Sequence, residues 1–370
     1  MSWTKYELGD LLSYEQPTPY IVESTEYNDN YKTPVLTAGK TFILGYTNEE
    51  TGVYDALPVI IFDDFTTASR YVNFKFKVKS SAMKILTPNT KLVLPKYIYY
   101  RMQIIPFDSS THKRYWIQKY SKIKVSIPPL PEQERIVARI EELFSELDKA
   151  IETLKKTKAQ LAVYRQAVLK EAFGKVENTI WLGEIIDSRL GKMLDKTKNV
   201  GTPRQYLRNT NVRWFSFDLS DLLEMKIEDD EIEKYSVDKG DLVICEGGEP
   251  GRCAVWEKDY TFFYQKALHR VRFTDGSNPK FYMYYLWFSA QTGQLAKYFT
   301  GTGIKHLTGQ SLNKVTVPTA LKSFQDKIVS EIESRLSVCD SIEKTIDTAL
   351  QESEAMRQSI LKKAFEGGFI

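Results

Sequence analysis

The sequence predicts an α/β fold of the mixed α+β kind. Two globular domains are joined by two long helices that pack as an antiparallel coiled-coil pair, with a pseudo-twofold internal repeat. Three observations carry this. A stretch beginning KVSIPPLPEQERIVARIEELFSELDKAIETL and closing YRQAVLKEAFG (124–174) recurs as KVTVPTALKSFQDKIVSEIESRLSVCDSIEKTI closing MRQSILKKAFEG (314–367). At a shift of 192 residues Ile136, Val137, Ile140, Glu141, Ser145, Asp148 and Thr153 meet Ile328, Val329, Ile332, Glu333, Ser337, Asp340 and Thr345. Arg165, Gln166, Leu169, Lys170, Ala172 and Phe173 likewise meet Arg357, Gln358, Leu361, Lys362, Ala364 and Phe365. Self-similarity of this length fixes the architecture before any motif does. Each copy carries a coiled-coil pattern, and each is preceded by strand-like runs.

Taken in order, residues 1–126 form the first domain. Leu8-Gly9-Asp10-Leu11-Leu12 opens it as an amphipathic segment, and TPVLTAG, LPVIIFDDF and NFKFKVKS read as strands bounded by turn residues. PKYIYYRM (95–102) is an aromatic-rich helix or strand. Residues 127–175 form the first long helix, PPLP at 128–131 stopping it from extending backwards. Its seam is Ile136, Ile140, Leu143, Leu147, Ala150, Leu154, Thr157, Leu161, Tyr164, Val168 and Ala172, alternating steps of four and three. Residues 176–316 echo the first domain: Leu182-Gly183-Glu184-Ile185-Ile186 opens, GDLVICEGG, RCAVW and HRVRF read as strands, and PKFYMYYL answers PKYIYYRM. Residues 317–370 form the second helix, with seam Ile328, Ile332, Arg335, Cys339, Ile342, Ile346, Ala349, Ser353, Met356, Ile360 and Ala364. Gly174 and Gly367 follow the two helices, where a left-handed cap is common. The heptads alone suit a plain dimerisation stalk equally well.

Composition narrows the function classes. Of 370 residues 42% are hydrophobic and 27% charged, which is globular rather than disordered. Lys and Arg number 51 against 48 Asp and Glu, so any nucleic-acid surface must come from local clustering. Three cysteines without a CxxC pair give no disulfide framework and point to a reducing compartment. With no apolar run of about 18 residues and no basic-then-apolar start, the expectation is a soluble, cytoplasmic protein that meets no membrane.

Basic residues in turns are the candidate DNA contacts. The first domain offers Lys40 in TAGKTF, Arg70 and Tyr71 in TTASRYVNF, and Lys113 and Arg114 in STHKRYW. The second offers Lys192, Arg204, Arg208, Arg252 after the glycine-rich EGGEPG, Lys266, Arg270, and Lys305 with His306 in TGTGIKHLTG. Arginine can take guanine O6 and N7 together, while Lys and backbone groups hold phosphates. No GxxxxGK[ST] loop, zinc-ligand spacing or methyl-donor glycine loop is present, so no catalytic or metal residue is expected. Asp63-Asp64 reads as a turn after the strand VIIF rather than as a metal site.

LPEQERIV, the long helix and RQAVLKEAFG resemble the conserved regions of type I restriction-modification specificity subunits. YLRNTNVRW, KGDLVICEGGEPGRCAVW and TGTGIKHLTGQSLNKVTVP resemble that family's target-recognition domains, as does VIIFDDFTTASRYVNFKFKVKSSAMKILTP. The resemblance covers essentially the whole chain. It implies a non-catalytic subunit whose two domains each read half of a bipartite site in double-stranded DNA. The helical pair, with an interface at Ile136, Ile140, Leu143, Leu147, Leu154, Leu161, Val168, Ile328, Ile332, Ile342, Ile346 and Ile360, would set the spacing. Two methyltransferase subunits would dock there, bringing S-adenosylmethionine, and motor-nuclease subunits would bring ATP and Mg; this chain would hold no cofactor. The second copy departs from the pattern, with TALKSFQ where the first has the LPEQ motif. Alternatives are the subunit of a type IIB-like or orphan modification system, a self-contained methyltransferase or nuclease, and a coiled-coil adaptor.

Overall fold

The computed structural model describes residues 3–37, 41–108, 114–195 and 197–368. It divides into two compact units, Met1–Lys155 with Asp347–Ile370, and Lys156–Ile346. The division falls inside both long helices, so each unit owns a globular part plus one end of each helix.

In the first unit β1 (Thr4–Glu7) leads through the single turn α1 (Leu8–Leu11) to β2 (Leu12–Glu15). β3 (Thr33–Leu36), β4 (Ile43–Thr47), β5 (Val59–Asp63), β6 (Ser69–Val72), β7 (Lys77–Val78) and β8 (Met83–Pro88) follow, then α2 (Pro95–Met102) and β9 (Lys124–Ile127). One antiparallel sheet has the order β2-β8-β5-β6; a second has β4-β3-β7, with β3 and β7 parallel; β1 pairs with β9. VIIF is continuous in apolarity because β5 is central and covered on both faces. Ile60 and Phe62 enter one core with Leu8, Tyr97 and Trp116, while Val59 and Ile61 enter another with Tyr54 and Phe76. That is the period of two expected for a strand.

The second unit repeats this plan. β10 (Thr179–Trp181), β11 (Ile186–Leu190) and β12 (Thr202–Leu207) precede a small hairpin, β13 (Val212–Arg213) with β14 (Ser216–Phe217). Next come β15 (Leu223–Ile227), α4 (Ile232–Tyr235), β16 (Ser236–Val237), β17 (Leu242–Cys245), β18 (Cys253–Val255), β19 (Phe262–Tyr264) and β20 (Leu268–Phe273). α5 (Pro279–Gln291), α6 (Gly309–Asn313) and β21 (Thr316–Pro318) complete the globular part. The sheets are β11-β20-β17-β18 and β15-β12-β19-β16, with β12 and β19 parallel, and β10 pairs with β21. β17 is therefore the counterpart of β5: Leu242 and Ile244 face one core, Val243 and Cys245 the other. Both aromatic segments are helices.

The long helices are α3 (Leu130–Phe173) and α7 (Lys322–Phe365), 44 residues each. α3 begins within PPLP rather than after it, since a proline in the first turn lacks only an N–H that would go unpaired there. Gly367 adopts the left-handed conformation at φ 85°, whereas Gly174 does not; its N–H continues the helical pattern to Lys170 O at 2.9 Å.

Within each unit the start of one helix lies against the end of the other, so the pairing is antiparallel. In the first unit Ile136, Val137 and Ile140 share a core with Leu361 and Ala364, and Arg357 pairs with Asp148. In the second, Val168, Leu169 and Ala172 share a core with Ile328, Val329 and Ile332, and Arg165 meets Asp340 at 2.7 Å. The two ion pairs are the same pair by the repeat.

Each helix start is fastened by a buried glutamine. Gln133 Oε1 accepts from Leu94 N–H at 2.8 Å, and its Nε2 donates to Leu92 O and Pro128 O at 3.0 and 2.9 Å. Gln325 Oε1 accepts from Asn278 N–H at 2.7 Å, and its Nε2 donates to Ala320 O at 2.9 Å. Lys96 then pairs with Glu141, as Lys280 does with Glu333 at 3.0 Å.

The seam differs from expectation away from the helix ends. Ile136, Ile140, Val168, Ile328, Ile332 and Ile346 are buried, while Leu143, Leu147, Leu154, Leu161 and Ile360 are half-buried. Ile342 is 40% exposed and Met356 52% exposed, so neither is a seam residue. Leu336 takes the place expected for Arg335, whose guanidinium lies over the Tyr164 ring at 5.3 Å and bonds Glu171 at 2.8 Å. A straight helix drifts about 20° per heptad against a strict seven-residue repeat, and the contact stripe moves with it.

One buried histidine ties the second unit together: His269 Nε2 lies 2.9 Å from Leu307 O. Burial holds its pKa below the ordinary 6.5. The folded state thus binds this proton less readily than the unfolded chain, so its contribution is full above about pH 6.5 and is lost as pH falls further. Acidification below that point is expected to lower the urea midpoint of the wild type more than that of His269→Gln. Ile346→Ala should cost about 2–4 kcal/mol, whereas Ile342→Ala should stay within about 0.5 kcal/mol; denaturant titration of both variants checks the corrected seam.

Candidate nucleic-acid interface

Three loops are stitched side by side through main-chain hydrogen bonds, in the same way in both units. In the second, Glu246 N–H donates to Ala267 O at 2.8 Å and Leu307 N–H donates to Glu246 O at 2.7 Å. In the first, Asp64 N–H donates to Ala82 O at 3.2 Å and Tyr115 N–H donates to Asp64 O at 2.9 Å. The loop after the central strand is thereby held between the turn entering β20 or β8 and the segment arriving from the aromatic helix. Arg114 and His306 are counterparts, each directly preceding the stitched residue.

This cluster collects some of the expected contacts. Lys266 and Lys305 are exposed on two of the three loops, His306 is half-buried beside them, and Arg114 is exposed in the first unit. Lys305 Nζ folds back to Gly301 O at 2.8 Å, shaping the hairpin that Thr300 and His306 close. Sequence reasoning missed Lys79, Ser80 and Ser81, the exposed counterpart of the Lys266 turn. It also passed over Asn209 and Thr210 in the turn after β12. Neither has a compositional signature; only the position relative to the central strand marks them. Lys40 and Lys113 lie outside the described residues.

Most of the arginines have other work. Arg270 is buried, meets Asp187 at 3.0 Å and reaches Glu233 O and Ser236 O at 3.4 Å. Lys192 is buried, paired with Glu231 and set 5.6 Å from the Tyr235 ring centroid. Arg208 holds Asp221 at 2.8 Å and Asn211 Oδ1 at 3.3 Å. Arg252 bridges Glu249 and Asn209 O, both at 2.8 Å. Arg204 covers the Phe263 ring at 5.3 Å and approaches Asp229 at 3.8 Å. Arg70 is half-buried in β6 opposite Ile61, and the Tyr71 ring lies 6.0 Å from Tyr99. Arg270, Lys192, Arg208, Arg252 and Arg204 thus serve as internal staples, because charge inside a fold needs a partner, and Arg70 and Tyr71 are packed into β6 and its aromatic neighbour. Sequence position alone does not separate the two uses.

The acidic and thiol groups are likewise committed. Asp63 Oδ1 accepts from Phe65 and Thr66 N–H at 2.8 and 3.0 Å, which makes the turn. Asp64 is buried, taking Trp116 N–H at 2.8 Å and Lys84 at 3.4 Å. Burial pushes the Cys245 thiol up to about 11 and the Cys253 thiol well above its ordinary value. Among the described residues no three His, Cys, Asp or Glu side chains gather to hold a metal ion. No helix among them is long and apolar enough to cross a membrane.

Comparison with known proteins agrees with this geometry. Residues 1–162 and 178–352 match the family described as type I restriction modification DNA specificity domain. The chain is 43% identical over 227 residues to the specificity subunit of an Escherichia coli type I restriction enzyme, covering 56% of this chain and 53% of that one. It is 25% identical over 310 residues to a Salmonella potsdam counterpart, covering 77% and 66%. The chain thus spans about half to two thirds of the length of these curated relatives. Its fold is similar to that of a chain from a type I restriction-modification system, with TM-score 0.71 at 15% identity, covering 98% of this chain and 97% of that one. It is also similar to the HsdS subunit from Thermoanaerobacter tengcongensis, with TM-score 0.63 at 15% identity and coverage of 99% and 97%. With two matched segments that together take in nearly the whole chain, each holding one copy of the same sheet plan, this protein belongs to the type I restriction-modification specificity family.

Proposed function

We propose that this chain is the DNA-recognition subunit of a type I restriction-modification complex, each unit reading one half of a bipartite duplex target. The observation that carries this reading is the duplicated three-loop stitch. One backbone frame appears twice with different residues each time: Thr66, Ser81 and Arg114 in one unit, a bare Gly248 with Lys266 and His306 in the other. Exposed Lys266, Lys305, Lys79 and Arg114 would meet phosphates and fix register, while neutral side chains between them would meet base edges. α3 and α7 each run from one unit into the other, so helix length would set the number of base pairs between half-sites. Two methyltransferase subunits would dock on the helices and bring S-adenosylmethionine. Motor-nuclease subunits would bring ATP and Mg. A recognition role without catalysis is supported by the commitment of Asp63, Asp64, Cys245 and Cys253 to turns, ion pairs and core.

Gel-shift titration should give an affinity for duplex that falls linearly on a log–log plot against salt; absence of binding at low salt would sink the reading. Lys266→Ala should weaken binding evenly across sequences and lower the salt slope by about one contact. Arg252→Ala should behave differently. It leaves Asn209 O and Glu249 without their shared donor, costing about 1–3 kcal/mol of stability and weakening binding as the loop loosens. Removing one heptad, residues 154–160, from α3 should change the spacer of the methylated site and leave its bases alone; methylome sequencing that returns the original spacer refutes a ruler.

A further inference from the structure

The loop between β17 and β18 has a floor without side chains. A Cβ on Gly247 would stand 3.1 Å from His306 Nδ1 and 3.2 Å from its Cε1, and a Cβ on Gly248 would stand 2.9 Å from Asn209 Nδ2. Gly248 also has φ 76°, which an L side chain rarely adopts. The two glycines therefore seat an imidazole from one loop and a carboxamide from another on adjacent residues.

Asn209 is fixed from behind. Its carbonyl accepts from Arg252 Nη2 at 2.8 Å and from Cys245 Sγ at 3.8 Å. Flanking Arg208 N–H donates to Asn211 Oδ1 at 2.9 Å, and Asn211 Nδ2 donates to Asp218 O and Asp221 O, both at 2.9 Å. Glu249, on the far side of the glycines, takes Trp214 Nε1 at 2.8 Å as well as Arg252. His306 is fixed by exchanging main-chain hydrogen bonds with Thr300 at 2.8 and 2.9 Å. Every one of these bonds uses main chain, Asn211, Arg208, Arg252, Trp214, Cys245 or an acid. Asn209 and His306 are both half-buried, and the carboxamide of the one and the imidazole of the other take part in none of these bonds.

We infer that Asn209 and His306 are specificity-determining side chains of the second unit, with Asn209 reading an adenine; this rests on the DNA-recognition reading above. A carboxamide offers one donor and one acceptor at the spacing of adenine N7 and N6, a match no other base presents in the major groove. The neighbouring imidazole supplies a single further donor or acceptor. Side chains held by a preformed backbone give up little freedom on binding, and that favours reading over general adhesion. The cationic neighbours Lys266 and Lys305 sit on the adjoining loops, where phosphates flank a groove.

The test uses the complete system in cells, with methylome sequencing for the motif, and purified chain for binding to the recognised duplex and its single-pair variants. Asn209→Asp keeps the shape and replaces the donor by an acceptor; Asn209→Ala removes both. Asn209→Ala should lose roughly 5- to 150-fold of the discrimination at one adenine pair in one half-site, with the other half-site read as before. Asn209→Asp should move the preference at that pair towards cytosine, whose N4 donates. His306→Ala should relax a neighbouring pair in the same half-site. Unchanged discrimination in Asn209→Asp and Asn209→Ala, at wild-type melting temperature, overturns the inference. A wild-type chain that prefers no duplex over any other overturns the DNA-recognition reading instead, so the two failures are distinct.

Discussion

A buried carboxamide at the start of each long helix is the interaction on which the remaining geometry depends. Gln133 and Gln325 are all but sealed from solvent, where an unpaired amide costs heavily. Both satisfy their oxygen with the N–H of the residue just before the aromatic helix, Leu94 or Asn278. A proline follows each, so that N–H is the last donor before a turn that would otherwise leave it unmet. The Lys96–Glu141 and Lys280–Glu333 pairs add a second point of attachment two turns along. Two points fix a direction, and the helix start is then aligned to the globular part by chemistry rather than by packing alone. The second copy lost the LPE of LPEQ and kept the glutamine. Its outer surface did change, with Leu321 81% exposed, but its internal clamp did not.

Much of the fold was legible because repetition and periodicity report backbone geometry directly. The heptads gave both helices, the internal repeat suggested their antiparallel pairing, and VIIF and LVIC marked strands through unbroken apolarity. The exact seam was less legible. Ile342 and Met356 fall at heptad positions and end in solvent, because a seven-residue register drawn along a 3.6-residue helix leaves the contact stripe. Leu336, one residue from the expected Arg335, took over. The aromatic segments were ambiguous for a plain reason: PKYIYYRM and PKFYMYYL are apolar nearly all round, and a buried helix and a buried strand then look alike.

The candidate interface was legible in its loops and poorly so in its residues. Turn chemistry marked EGGEPG and TGTGIKH as loops, since glycine-rich runs report backbone needs. Charge did not report exposure. Arg270, Arg208 and Lys192 look, in sequence, like Lys266 and Lys305, yet their partners Asp187, Asp221 and Glu231 are brought up from 83, 13 and 39 residues away. An ion pair assembled by the tertiary fold leaves no local trace.

That division of labour accounts for how two such different sequences keep one plan. The stitch uses only N–H and C=O groups, so Asp64 and Glu246, Tyr115 and Leu307, Ala82 and Ala267 serve it equally whatever side chains stand beside them. The staples that stiffen a loop are charged and inward, and they too can vary so long as each finds a partner. What remains outward on a stiff loop is then free to change without a cost to folding. A lysine in that place would draw any phosphate at similar strength, whereas an arginine fork could also take a guanine edge. A neutral donor–acceptor side chain such as Asn209, in the role inferred for it above, would gain little from a phosphate and more from one base edge, and a search for positive charge alone passes over it.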